Sequence, residues 1–195
     1  GAGSILGASQ SGHLANVGYD MYLQLLDEAV REERGEKDVH KEECLVDIKI
    51  DAYIPEDYIS NQAQRVDCYR KIAKIQNDED STDVTDELID RYGDPPPSVS
   101  DLVNVSLVRV QASAVGVTEV TQKKDTLTLQ LESLDLPMIR GLLVAFNGRV
   151  TAGAGSKPYL SVTLHPDEKP LELLQSILKA MAEILNGGEK AKDSK

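Results

Sequence analysis

The sequence predicts an α+β fold: an N-terminal helical appendage and linker, then a compact domain of several helices packed on a small mixed or antiparallel sheet. Three observations carry that prediction. Apolar residues recur three and four apart in some stretches and strictly alternate in others, so both periodicities are present. The elements run strand, three helices, two strands, helix, strands, helix, a segregated order that does not suit a doubly wound parallel sheet. The apolar residues are almost all aliphatic, with no Trp, one Phe and seven Tyr among 195 residues, so the core is built from Leu, Ile and Val.

Taken in order, Ala15 to Arg34 places Val17, Met21, Leu25, Leu26, Ala29 and Val30 at helical spacing, and Gly35 ends the helix. The stretch "EKDVHKEE" (36–43) is charged without an apolar face and reads as a linker. "CLVDIKIDAYIP" then alternates Leu45, Asp47, Lys49 and Asp51 against Val46, Ile48 and Ile50, the pattern of a half-buried strand closed by Pro55. Asn61 to Ile75 returns to helical spacing through Val66, Tyr69, Ile72 and Ala73. A further helix is expected over Ser81–Tyr92 with Gly93 at its C-terminus, and "DPPP" (94–97) forbids its continuation. Ser98 or Ser100 caps the next helix, Val99–Val115, which has two candidate stripes, Leu102/Val105/Val108 and Val103/Leu107/Val110. "VTEVTQ" and "TLTLQLE" read as strands joined at "KKD", "LPMIRGLLVAF" as a buried helix, and the neighbourhood of Val150 and "YLSVTLH" as strands. The last helix runs Pro170–Leu185, ahead of a polar tail expected to be disordered. The implied domains are residues 1–43 as appendage, 44–186 as the compact domain and 187–195 as tail.

Charge narrows the function. With 33 acidic and 21 basic residues the chain carries a formal −12. Nucleic-acid affinity rests on Lys and Arg displacing counterions, so a freestanding DNA binder is a poor fit, and sparse aromatics remove stacking platforms for single strands. An acidic surface serves solubility or a basic protein partner. Two cysteines make no disulfide framework and suit a reducing cytoplasm. No apolar run reaches the roughly 18–20 residues that cross a bilayer, which argues against a membrane partner.

Catalytic motifs are missing. Gly1, Gly3 and Gly7 in "GAGSILGASQSGH" have neither the spacing nor the Lys of a P-loop, and no strand precedes them as a dinucleotide fingerprint requires. His13, His40 and His165 are far apart, and His40 with Cys44 lacks two further ligands for zinc. Ser11 next to Gly12-His13 has no nucleophile elbow around it. No cofactor or metal is expected for this chain, and no catalytic residue. The most informative charged stretch is "DEDSTDVTDELIDRYGD" (78–94), with eight acidic residues against Arg91. On a helix, Val84, Leu88 and Tyr92 face the core, and Asp83, Glu87 and Asp90 lie at three- and four-residue spacing. A solvated face and a docking site for a basic partner both fit that pattern.

Four stretches in order, "GAGSILGASQSGH", "VGYDMYLQLLDEAV", "IDAYIPEDYI" with "RVDCYRKIA", and "ELIDRYGDPPPSV", make the chain resemble the C-terminal region of bacterial transcription-repair coupling factors. The resemblance covers about residues 1–110, and the remainder fits in length and layout. It implies that the glycines and Gln10 belong to the translocation motif shared with the RecG helicase, whose arginine would precede Gly1. It also implies that motor lobes using ATP and magnesium, and a polymerase-binding module, lie upstream in the longer protein. Residues 44–186 would then be a regulatory domain that is not itself an enzyme. It would dock on the UvrB-like N-terminal module of its own parent chain and mask the surface that binds UvrA. The contact carried over from the family is Glu87, Asp90 and Arg91, and helix spacing extends it to Asp83. RNA polymerase and double-stranded DNA would be reached only through the parent. The alternatives are a DNA-engaging accessory piece of the motor, for which Gln10 is the sole support, and an unrelated acidic protein-binding domain.

Overall fold

A computed structural model describes residues 11–34 and 43–192, which form two compact units. Gln10, most of the charged linker and the last three residues lie outside the described residues.

The first unit holds helix α1 (Ser11–Arg34), the stretch from Ile50, helices α2 (Gln62–Ala73) and α3 (Asp78–Tyr92), and α4 (Pro97–Ala114) as far as Leu107. Helix α1 packs on α2. It buries Tyr19, Tyr22, Leu25 and Leu26, so tyrosines share the apolar face that the sequence assigned to aliphatics alone. Close approach at Gly18 makes this packing possible: a Cβ there would run into Tyr53 and come within 2.8 Å of the Tyr69 hydroxyl. The helix starts are set by side-chain caps. Asn61 accepts from the Gln64 amide at 3.0 Å and Asn77 from the Asp80 amide at 2.8 Å. The Asn77 cap is why α3 begins at Asp78, three residues before the expected start, with Asp78, Glu79 and Asp80 favourably placed in the first turn. Gly93, at φ 83°, turns the chain out of the helix.

A buried arginine organises the connection into α2. Arg65 donates from Nη1 to the carbonyls of Ile59 at 2.7 Å and Ser60 at 2.9 Å, and Nη2 lies 3.4 Å from Glu56. Nearby, the Ile54 amide donates to the Tyr69 hydroxyl at 2.8 Å, and Ser106 Oγ donates to the Ile72 carbonyl at 2.6 Å. On α4 the stripe Leu102/Val105/Val108 is buried, together with Val103.

The second unit holds the described residues up to Lys49 from Glu43, then Val108 onward. Its five-stranded mixed sheet has the order β1-β2-β3-β5-β4, from β1 (Leu45–Asp47), β2 (Val117–Lys123), β3 (Thr126–Leu131), β4 (Thr151–Ala154) and β5 (Pro158–Thr163). Strand β1 lies parallel to β2, and the other pairs are antiparallel. Register stacks Val120 on Leu129, Leu129 on Leu160 and Leu127 on Val162, all buried. Helices α5 (Leu136–Ala145) and α6 (Pro170–Lys192) complete the unit and pack on each other. Helix α6 continues seven residues beyond the expected end at Leu185. Two further expectations need correction. The strand expected from Cys44 is a ladder only over Leu45–Asp47, because Lys49 donates its amide to the Gln122 side chain (2.8 Å) rather than to a neighbouring strand. Burial still alternates through Cys44, Val46, Ile48, Ala52 and Ile54, so the sequence period recorded an extended chain, not a ladder. Helix α5 is not buried all round: Met138 and Leu142 are inside, and Leu136, Leu143 and Val144 face out.

Candidate functional site

The acidic stretch forms α3, and its periodicity sorts the predicted residues into two groups. Leu88 is buried, and Val84 and Tyr92 are half-buried beside it. Glu87 is half-buried and turns toward α2, accepting from Lys71 Nζ at 2.6 Å and from Arg91 Nη1 at 3.3 Å. Lys71 also lies 3.4 Å from Asp67. The Arg91 guanidinium sits 5.0 Å from the centroid of the Tyr92 ring. Asp83 and Asp90 are exposed on the flank next to Glu87, four and three residues from it, where they are joined by Asp86 and by the exposed Ile89. The structure ties Glu87 to Arg91 and Lys71 and leaves Asp83 and Asp90 exposed beside them, at the three- and four-residue spacing that the sequence shows. The outward face is Asp83/Asp86/Ile89/Asp90, and Asp86 and Ile89 were missed although the same three- and four-residue spacing includes them.

The position of the helix is fixed at its C-terminal end. The Tyr58 hydroxyl donates to the Gly93 carbonyl at 2.8 Å and lies 3.3 Å from that of Leu88, so the loop before α2 holds the last turn of α3. Between the helices, Cys68, Lys71, Val84, Glu87, Leu88, Arg91 and Tyr92 line a shallow depression with room for little more than a water molecule. It has no nucleophile at its base, because burial raises the Cys68 thiol above its ordinary value. The other cysteine, Cys44, is pushed up to about 12 by burial, with the Glu119 charge adding to it. Among the described residues no group of three or more His, Cys, Asp or Glu is placed to hold a metal ion. What the surface offers is charge at fixed positions, which is chemistry for docking.

The Lys71 ammonium beside Glu87 holds the Glu87 carboxyl below its ordinary value of 4.5, and Arg91 adds to the effect. A depressed folded-state value means the tie stabilises above the unfolded value and is lost as pH falls through the folded one. Both partners are about 40 % exposed, so the contribution is screened to about 0.2–1 kcal/mol. Glu87→Gln is expected to be less stable than the parent at pH 7, by a gap that narrows as pH falls below 4.5, as read by urea denaturation over a series of pH values. A gap that does not narrow with falling pH would show that the carboxylate charge is not the cause.

The profile of the TRCF domain matches residues 48–138, a stretch that contains α2, α3 and α4. The transcription-repair-coupling factor of Staphylococcus aureus (strain USA300) is 31 % identical over 198 residues, spanning 98 % of this chain and 17 % of that protein. The corresponding protein of Staphylococcus haemolyticus (strain JCSC1435) is 35 % identical over 143 residues, 72 % of this chain and 12 % of that one. A crystal structure of the C-terminal domain of transcription-repair coupling factor superposes with a TM-score of 0.62 at 27 % identity, covering 74 % of this chain and 96 % of that one. The chain belongs to the transcription-repair coupling factor family. Its α+β architecture is that of the C-terminal domain of the family. The chain spans 17 % of the length of the Staphylococcus aureus relative. Among the described residues no helix is long and apolar enough to cross a membrane.

Proposed function

We propose that this TRCF domain is a regulatory interaction module that docks through α3 on the UvrB-like N-terminal module of its own longer protein and masks the surface that binds UvrA. The longer protein is, on this reading, a cytoplasmic DNA translocase whose ATP- and magnesium-dependent motor lies outside this chain and which displaces stalled RNA polymerase. The observation that carries the reading is the outward face of α3, where Asp83, Asp86 and Asp90 are exposed together with Ile89 at their margin. Such a face complements a basic surface flanked by an apolar contact. Glu87 and Arg91, already tied to each other and to Lys71, set the pose of the helix and reach a partner only from the edge of that face.

Masking is a coupling free energy between two sites, of about 1–3 kcal/mol for a typical case, or roughly 5- to 150-fold in affinity for UvrA. Single exposed charge pairs contribute only about 0.2–1 kcal/mol. Several must act together, with apolar contacts supplying the rest. The test is titration of the chain with the isolated UvrB-like module at low and moderate salt. Salt-sensitive binding is expected, weakened about tenfold by Asp83→Lys/Asp90→Lys with no change in melting temperature. Glu87→Ala/Asp90→Ala is expected to weaken binding less. Binding that is absent, or indifferent to the charge reversals, would overturn the reading.

A further inference from the structure

Seven large apolar side chains are exposed among the described residues, and four of them, Leu134, Leu136, Leu143 and Val144, lie on or just before α5. With 3.6 residues per turn, Leu136, Arg140, Leu143 and Val144 fall within about 100° of the helix circumference, opposite the buried Met138 and Leu142. The two ends of this stripe are its most open points, Leu136 at 65 % and Val144 at 79 % exposure. Beside it, Gly141 receives the Ile184 side chain of α6, and the next residue, Leu185, is exposed as well. An apolar stripe on a well-packed helix, bounded by polar surface, marks an interaction site. It lies in the second unit.

The charge at its centre chooses the occupant. Arg140 is exposed between Leu136 and Leu143 and forms no ion pair with any described residue. The nearby carboxylate of Asp135 is occupied as the N-cap of α5, accepting from the Met138 amide at 3.1 Å. Were a second copy to pack here about a two-fold axis, setting Leu136 on Val144 would set Arg140 on Arg140, which is repulsive. We infer that this face docks an amphipathic helix of a partner protein whose apolar stripe is interrupted at its centre by one Asp or Glu. The carboxylate meets Arg140 while apolar residues on either side cover Leu136 and Leu143–Val144. Helix α5 is about 15 Å long, so about three turns of partner suffice.

The test uses the full chain and two helical peptides of about 18 residues, alike except for a central Glu or Lys, followed by amide chemical shifts. The Glu peptide is expected to move the signals of residues 134–146 and to bind about tenfold tighter than the Lys peptide. Arg140→Glu is expected to reverse that order, and Val144→Asp, at an open position that leaves the fold intact, to abolish both. Equal binding of the two peptides, no response at α5, or indifference to Val144→Asp would overturn the inference. So would sedimentation of the chain as a dimer that Val144→Asp dissociates, since the occupant would then be a second copy.

Discussion

Glu43→Ala is expected to destabilise the second unit by about 3–5 kcal/mol, the range for removing one partner of a buried ion pair. Glu43 stands immediately ahead of Cys44 and β1, and its carboxylate pairs with Arg109 on α4, whose side chain is only 2 % exposed. Taking away the carboxylate leaves a guanidinium charge that is shut away from water without its acidic partner. The cost should come from that stranded charge rather than from a lost bond, and a second variant separates the two. Glu43→Leu/Arg109→Met, which removes both charges and keeps apolar volume, is expected to recover most of the loss, because well-packed apolar replacements of buried pairs are often neutral. Denaturant unfolding of the parent, the single variant and the double variant decides it. A double variant as unstable as Glu43→Ala would assign the effect to packing instead.

Arg65→Ala is expected to be the most damaging single change in the first unit, at about 2–4 kcal/mol. Glu56 is 69 % exposed, so its pairing with Arg65 contributes little. The larger loss is at the Ile59 and Ser60 carbonyls, which accept from Nη1 and would be left without that donor. Arg65→Met keeps the stem of the side chain and loses the donors, so it should retain most of the penalty. Glu56→Ala should cost less than about 1 kcal/mol. Similar unfolding midpoints for Arg65→Met and the parent would show that the guanidinium hydrogen bonds contribute nothing.

Helix and strand identities were readable because each depends on a local period. The cluster Leu127/Leu129/Leu160/Val162 follows from alternation, and the α3 stripe Val84/Leu88/Tyr92 from the four-residue repeat. What periodicity leaves open is which polar groups go inside. Arg65 and Arg109 look like solvated arginines in a charged sequence, and partners such as Glu56 with two carbonyls and Glu43 help to make burial tolerable. Those partners come from segments that no local pattern links to them. The candidate surface was half legible for the same reason. Spacing located the acidic helix, but the position of Lys71 on α2 determined that Glu87 would turn inward and Asp90 outward. Helix α5 shows the opposite error: a run as apolar as "LPMIRGLLVAF" reads as buried, although ten residues in a helix present only part of their circumference to one neighbour.

The placement of β1 bears on the order of events as the chain is made. Leu45–Asp47 pairs with Glu119–Thr121, and the larger part of the first unit, from Ile50 to Leu107, lies between the two in the sequence. At 5–20 residues per second, that interval takes roughly 4–15 s to synthesise. During that time β1 leaves the ribosome with no strand to join, while the helices of the first unit already have their neighbours. The first unit, whose helix α1 is made even before β1, is therefore expected to fold first, and the sheet to close later, when β2 arrives to recruit a strand made long before it.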